Sequence, residues 1–366
     1  MNRNTASQVG GSRRRSRALG VAALGAAAVA LAACGTSSGS QTSSTAAAKS
    51  SKPAVVPLVV YSAQGYDHAE TAAFTKATGI PVRLDDNSTG PLLTQIEASK
   101  NNPNWGLLWV DGATAFAELD QQGLLVKGWE PTVSWNSLGS QNLPTDKSYV
   151  PTGVTLMAAV VYNKKVVTDP PTSWSQLLES KWKGNIGMND PSQSGPTYPF
   201  IAGIMNYRGG VSAGEKFFTQ LKANGLVIHP TNGPTLQALS DGQIKLALVQ
   251  SSAGIGAEFT DKSLTVKYLN PVTMLPSCIG IDSKVSATEQ AEAKKFVEFV
   301  LSPAGQHVMQ TGDPEGDSLY YPVLTGIQPL SVLPSLSSVK TQTINPYTWG
   351  PREPTINTWF DSNIVQ

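Results

Sequence analysis

The chain has 366 residues, of which only 14% are charged, with 33 Gly, 25 Pro and a formal net charge of +1. Arg3, Arg13, Arg14, Arg15 and Arg17 are the only charged residues before Cys34, so the remainder carries −4, and the absence of any basic run argues against nucleic acid as a partner. Cys34 and Cys278 are the only cysteines, so no disulfide framework supports the fold. A chain of this length must rest on one large core or on two lobes that share it.

The arginines lead into residues 18–33, almost entirely Ala, Val, Leu and Gly. That order is the charged and apolar part of a secretory signal. The run is shorter than the ~20 residues a bilayer-spanning helix requires. Leu31-Ala32-Ala33-Cys34, followed by Gly35, resembles the lipobox of bacterial lipoproteins. The resemblance implies cleavage before Cys34 and lipid attached to its sulfur. Residues 1–33 are then a signal peptide, and residues 34–54, rich in Ser, Thr, Ala and Gly, a flexible tether. The expected location is extracytoplasmic, lipid-anchored to the cell membrane.

Residues 55–61 read as a buried strand and 62–67 as the loop at its C-terminal end. Ala69, Ala72, Ala73, Phe74 and Ala77 then recur at helical spacing, with Gly79 in C-cap position. Residues 81–84 form the next strand, 85–90 a polar loop, 91–99 a helix, and 105–110 a strand ending at Asp111-Gly112. This alternation predicts a mostly parallel sheet covered by helices. In such sheets ligands sit at the C-terminal strand ends. Residues 152–162 form a long apolar strand able to leave one lobe and enter another, and residues 265–281 form a second crossing. The helix containing Ala291, Phe296, Val297, Phe299 and Val300 returns to the first lobe. The predicted fold is therefore α/β, with two lobes, each a mostly parallel sheet flanked by helices, joined by hinge strands. Residues 55–153 open the first lobe, 154–272 form the second, and 273–366 are the return to the first lobe and a C-terminal segment. Cys278, inside an apolar strand-like run, is predicted to be a buried small hydrophobe.

Three loops repeat one device: residues 88–92, 193–197 and 231–235 each place a short polar residue and Gly before Pro at a predicted helix start. Pro suits the first helical position. The free N–H groups and the dipole at such an end favour anions. Ordinary capping accounts for any single copy. The first two loops, on opposite lobes, are the stronger ligand candidates, and the third, ahead of Asp241-Gly242, reads as structural. Catalytic signals are weak. His68, His229 and His307 are scattered without metal-ligand spacing. Gly35 to Gly39 matches the G-x-S-x-G nucleophile elbow formally, but lies in the tether with no strand before it. Asp85-Asp86 reads as a solvated turn. No catalytic residue, cofactor or metal site is assigned. A secreted lipoprotein hydrolase stays open as the competing class, because Ser/His/Asp sites are often dispersed.

Several stretches carry a resemblance: Val59 to Gly65, Ala73 to Ile80, Pro171 to Leu178 with Trp174, Lys181 to Gly187 with Trp182, Asp190 to Gly195, and Tyr321-Pro322-Val323. They resemble extracellular solute-binding proteins of ABC transporters, in the group that includes ferric-iron, thiamine, polyamine and phosphonate binders. The resemblance implies a periplasmic-binding-protein-like fold whose lobes close on a small solute, a lipid-anchored monomer, and delivery to a membrane permease. Iron binders of this group commonly use adjacent tyrosines after the strand that here reads Ala247 to Gln250; this chain has Gln250-Ser251-Ser252. Ferric iron, thiamine and polyamine remain alternatives to a small anion of phosphonate or organophosphate type. The expected anion donors are Ser88, Thr89, Ser194, Gly195 and Thr197. Ser62, Gln64, Tyr66, Asp111, Gln250, Ser251 and Tyr321 are the neighbouring candidates, and Asp67 or Asp111 would receive an ammonium group.

Overall fold

The computed structural model describes residues 56–366. The predicted signal peptide, the tether and the lipid-bearing Cys34 lie outside the described residues. β1 (Leu58–Ser62), β2 (Val82–Asp86) and β3 (Leu107–Asp111) pair in parallel in the order β2-β1-β3. The intervening helices α1 (Asp67–Thr78) and α2 (Thr89–Ser99) bury Phe74, Leu92 and Ile96. Gly79 ends α1 at φ 74°, where it donates its N–H to Thr75 O. A residue without Cβ takes that left-handed conformation without strain. Asp85 and Asp86, expected in a loop, complete β2 instead, because Tyr61 and Ser62 of β1 extend the ladder that far.

After α3 (Ala113–Gln121) and the short α4 (Ser137–Asn142), the chain enters β4 (Val150–Asn163). A second parallel group follows: β5 (Ile186–Asn189), β6 (Val227–His229) and β7 (Leu246–Val249), ordered β7-β5-β6. Around it lie α5 (Thr197–Tyr207), α6 (Val211–Ala223), α7 (Asn232–Ser240) and α8 (Ser251–Thr260). β8 (Leu264–Ile281) runs back, then α9 (Ala287–Val300), α10 (Pro303–Thr311), the two-residue β9 (Thr341–Gln342), α11 (Pro346–Trp349) and α12 (Glu353–Phe360).

β4 and β8 are the predicted crossings. They pair antiparallel from Val150↔Ile279 to Asn163↔Leu264, while β8 also pairs with β3 and β4 with β7. The two halves thus share one sheet, β2-β1-β3-β8-β4-β7-β5-β6, with β9 beside β8. The β4–β8 register breaks between Met157 and Ala159, where the partner changes from Thr273 to Tyr268. The lobe borders predicted at 153/154 and 272/273 fall inside these two strands. Among the described residues no helix is long and apolar enough to cross a membrane.

Each half has its own apolar cluster. The first gathers Leu58, Phe74, Trp109, Phe296, Met309 and Tyr320, with Phe74 meeting Phe296 edge-to-face at 5.0 Å. The second gathers Trp174, Trp182, Phe200, Phe217 and Phe218. Such aromatic pairs add about 0.5–1.5 kcal/mol beyond the area they bury. The tail corrects one expectation. Residues after β9 do not simply complete the first half: Ile356, Phe360 and Ile364 join the second cluster, and Phe360 packs on Phe218 at 5.4 Å. Cys278 is fully buried, as expected of a small hydrophobe.

Glu70 of α1 is wholly buried, and neither of its carboxylate oxygens has a hydrogen-bond partner. Burial pushes its carboxyl well above the usual range. The folded chain therefore keeps a proton that the unfolded chain releases above about pH 4.5. Stability is full below that pH and falls as pH rises, by about 1.4 kcal/mol per unit for one such group. Glu70→Gln is expected to raise the melting temperature at pH 8 and to flatten its decline between pH 5 and 8, as read by thermal unfolding. An unchanged slope would show that Glu70 is ionised in the fold.

Candidate ligand-binding site

The C-terminal ends of six parallel strands open onto one cavity of about 390 Å³. Gln64 follows β1, Asp86 to Thr89 end β2 and enter α2, and Asp111 ends β3. From the other half come Ser194 and Gly195 after β5, Thr231 to Gly233 after β6, and Gln250 after β7. A parallel sheet puts all its strand-to-helix loops on one edge, and here two such edges face each other.

Four helices, α2, α5, α7 and α8, begin at this cavity, and none of the four is capped by its own N-cap side chain, although Ser252 N of α8 donates to Thr155 Oγ1 and Gly90 N of α2 to Gln193 O. By contrast α4, α9, α10 and α11 are capped by Asn136, Ser286, Ser302 and Asn345. Other uncapped helices exist, such as α6 and α12, so the convergence of four is the informative point. Each open end presents backbone N–H donors and about half a positive charge. Asn189, wholly buried at the end of β5, locks two of the loops together. Its amide donates to Ser194 Oγ at 3.2 Å and to Asn232 Oδ1 at 2.7 Å, and its oxygen accepts from Thr235 Oγ1 at 2.6 Å. Ser194 Oγ accepts there, which leaves its proton available to a ligand.

Acidic groups share the cavity with these helix ends, Asp317 at the start of α8 itself. Asp86, Asp111 and Asp317 line the cavity, and among the described residues no Lys, Arg or His does. Asp111 is buried; it accepts from Gln64 Nε2 at 3.1 Å and from the Tyr320 hydroxyl at 2.6 Å. Asp317 accepts from Gln250 Nε2 and from Ser252 Oγ, tying the 313–319 loop to the start of α8. Burial raises the Asp111 carboxyl, and burial together with the Asp111 charge pushes Asp317 up to about 7. Beside the cavity, Asp67, His68 and Asp86 bring one ligand atom each within 4.8 Å of one another, a grouping able to hold a metal ion. His68 Nε2 lies 3.3 Å from Asp86 Oδ2, and burial pushes Asp67 up to about 6.

Of the residues expected from sequence, Gln64, Ser88, Thr89, Asp111, Ser194, Gly195 and Gln250 line the cavity. The others stand behind it. Ser62 Oγ accepts from Gln64 N at 3.1 Å, and Ser251 Oγ bonds Thr155 Oγ1 and Leu156 N. Tyr66 packs edge-to-face on Trp109 and Tyr320, and Thr197 is wholly buried at the start of α5. Tyr321 faces elsewhere, donating to Pro334 O at 2.6 Å; its neighbour Tyr320 is the tyrosine that reaches the site. The third Gly-Pro loop, read as structural, lines the cavity. The Pro positions also differ: α2 and α7 begin at Thr89 and Asn232, two residues before Pro91 and Pro234, while Pro196 is the N-cap of α5. Asp317 had no sequence signal, since the loop before it has no periodicity, and Tyr320 had only its place in the Tyr320-Tyr321 pair. Thr231 to Gly233 had one, in the repeated device itself.

With this architecture in view, the chain belongs to the bacterial extracellular solute-binding proteins, whose family pattern matches residues 70–335. It is 24% identical over 267 residues, 68% of this chain and 75% of the relative, to a Salmonella typhimurium periplasmic protein named for 2-aminoethylphosphonate binding. It is 26% identical over 278 residues, 72% of this chain and 81% of the relative, to the major ferric iron-binding protein of Neisseria meningitidis. The periplasmic binding protein AfuA of Actinobacillus pleuropneumoniae, solved with fructose-6-phosphate, superposes with a TM-score of 0.75 at 17% identity, over 84% of this chain and 98% of its own. These likenesses agree with the two-lobed fold read from the sequence.

The halves meet across the cavity. Gly90 N donates to Gln193 O at 3.2 Å, and a Cβ on Gly90 would stand 1.8 Å from Ser192 O. Gly90 lies inside α2, where alanine otherwise favours the helix by about 1 kcal/mol. Gly90→Ala is therefore expected to keep the fold while holding the halves apart. Calorimetry should find ligand affinity lowered by about tenfold or more, since only the closed fraction binds tightly. Unchanged affinity would mean that closure at Gly90 is not required.

Proposed function

We propose that this protein is the receptor of an ABC importer for a small anionic solute of phosphonate or phosphate-ester type. The observation that carries the reading is the convergence of four uncapped helix N-termini on one cavity. Their N–H groups, with the hydroxyls of Ser88, Thr89 and Ser194, form a cradle for tetrahedral oxygens. The cavity of about 390 Å³ has room for a small solute of this type. The Salmonella relatives named for 2-aminoethylphosphonate support a phosphonate, and the phosphate sugar held by AfuA supports the same oxygen geometry.

In this reading β4 and β8 act as the hinge between a first lobe, 55–153 with the return from 273, and a second lobe, 154–272, on which Ile356, Phe360 and Ile364 of the tail pack. Solute bridging both edges favours the closed form, because it contacts both lobes only there. Lipid on Cys34 and the 34–54 tether hold the receptor near its permease. The ferric-iron alternative loses support at the loop after β7, where Gln250, Ser251 and Ser252 stand and the hydroxyl of Ser251 is already bonded. Calorimetric titration of the mature domain is expected to give saturable one-to-one binding with 2-aminoethylphosphonate or a phosphate ester. Saturable binding of ferric citrate alone, or of putrescine alone, would overturn the anion reading.

A further inference from the structure

The anion cradle leaves the acidic groups of the cavity unexplained. A dianion seated on the helix ends would face Asp86, Asp111 and Asp317 with no side-chain cation to offset them. Asp111 and Asp317 come from separate segments, β3 and the loop before Tyr320, and are not the solvated pair that a surface acidic cluster usually is. Gln64 and Tyr320 hold Asp111 from behind, and Gln250 and Ser252 hold Asp317. Resting on the anion reading above, we infer that the solute is a zwitterion: its anionic end lies on the helix N-termini, its primary ammonium lies between Asp111 and Asp317, and seating the ammonium expels one proton from that carboxylate pair.

The balance is simple. Two carboxylates held close share a proton, because both cannot ionise in a poorly solvated site. An arriving R–NH₃⁺ keeps its own three protons and supplies the missing positive charge, so the shared proton leaves to water and no bond is made or broken in the solute. The titratable groups facing the pair are Tyr66, Tyr320, Asp313 and Cys278, and the remaining cavity acid is Asp86. The phenols and the thiol are pushed further up by burial, so they stay neutral and do not compete. Asp317, pushed up to about 7, sets the window: the proton is present below that pH and gone above it. The signature is release of up to one proton at pH 6, falling toward none at pH 9, and an affinity that rises by up to tenfold per pH unit below about 7.

The test uses 2-aminoethylphosphonate, ethylphosphonate, which lacks the amine, and ethylamine, which lacks the anion, titrated calorimetrically into the unaltered mature domain. Paired buffers of different ionisation heat count the protons released. Because the ammonium lowers the second phosphonate ionisation of 2-aminoethylphosphonate relative to ethylphosphonate, each affinity is referred to the phosphonate dianion and the protons each phosphonate itself loses at that pH are subtracted. The expected result is a preference for the aminated compound of about a hundredfold at pH 8 that shrinks toward pH 6, with proton release at pH 6 for that compound alone. Asp317→Asn should lower the ratio by about tenfold, since Asp111 still faces the ammonium, and abolish the proton release; because its amide keeps the size of the carboxyl, melting temperature checks that it folds. Equal affinity for the two phosphonates, or heats independent of buffer at pH 6, would overturn the inference while leaving the anion reading intact. Binding of neither phosphonate would remove both.

Discussion

The antiparallel pairing of β4 with β8 is the constraint on which the rest depends. Each strand serves both halves, so the two parallel groups are held by one ladder and their C-terminal strand ends meet across the same cavity. The ladder is broken in its middle, where the partner of β4 jumps from Thr273 to Tyr268. Bending there disturbs the fewest backbone hydrogen bonds, because those bonds are already missing. Neither apolar cluster has to be repacked, since the aromatic contacts of Phe74 with Phe296 and of Phe200 with Phe218 lie within single halves. The C-terminal tail adds a further tie. The Tyr198 hydroxyl of the second half donates to Trp349 O, and α11 with residues 350–352 lies against α3 of the first.

The site divides its electrostatics between backbone and side chains. Its positive potential comes from helix ends that cannot be protonated, deprotonated or moved by a rotamer change. Its negative potential comes from carboxylates that can. A helix end offers about half a charge, less than an arginine, but it is rigid and needs no counter-ion when no ligand is bound. That rigidity matters in a receptor that must release what it captures: an arginine clamp would add affinity in both open and closed forms, whereas donors split between two lobes act together only on closure. Gly90 and Gly195 permit the approach, and Asn189 keeps the donors of the second half in place while no ligand holds them.

Legibility in the sequence followed the range of the interaction. The strand ending at Asp111, the long crossings, the helix stopped by Gly79 and the burial of Cys278 were all readable, because hydrophobic periodicity and cap residues act within a few positions. So were the strand ends followed by polar Gly-Pro loops, whose residues line the cavity. Three details escaped. The loop at Thr231 read as structure because Asp241-Gly242 follows it, and the fold brings it to the cavity instead. Tyr321 came forward with the Tyr321-Pro322-Val323 stretch, and it is the adjacent Tyr320 whose hydroxyl reaches Asp111, because in an irregular segment no periodicity tells one face from the other. Ile356, Phe360 and Ile364 displayed a helical stripe, but a stripe does not say which core receives it.

By itself, then, the sequence determined the α/β alternation and the two crossings, because local propensity and pattern are sufficient for each, and its resemblance to extracellular solute-binding proteins pointed to the family that the match over residues 70–335 shows. Only the tertiary structure decided that four helix ends share one cavity, that Asp111 and Asp317 stand together in it, and that Gly90 is the contact across it. Those facts depend on distances between segments that are not neighbours in the chain, and a linear pattern carries no information about which of its loops the folding of β4 against β8 will bring face to face.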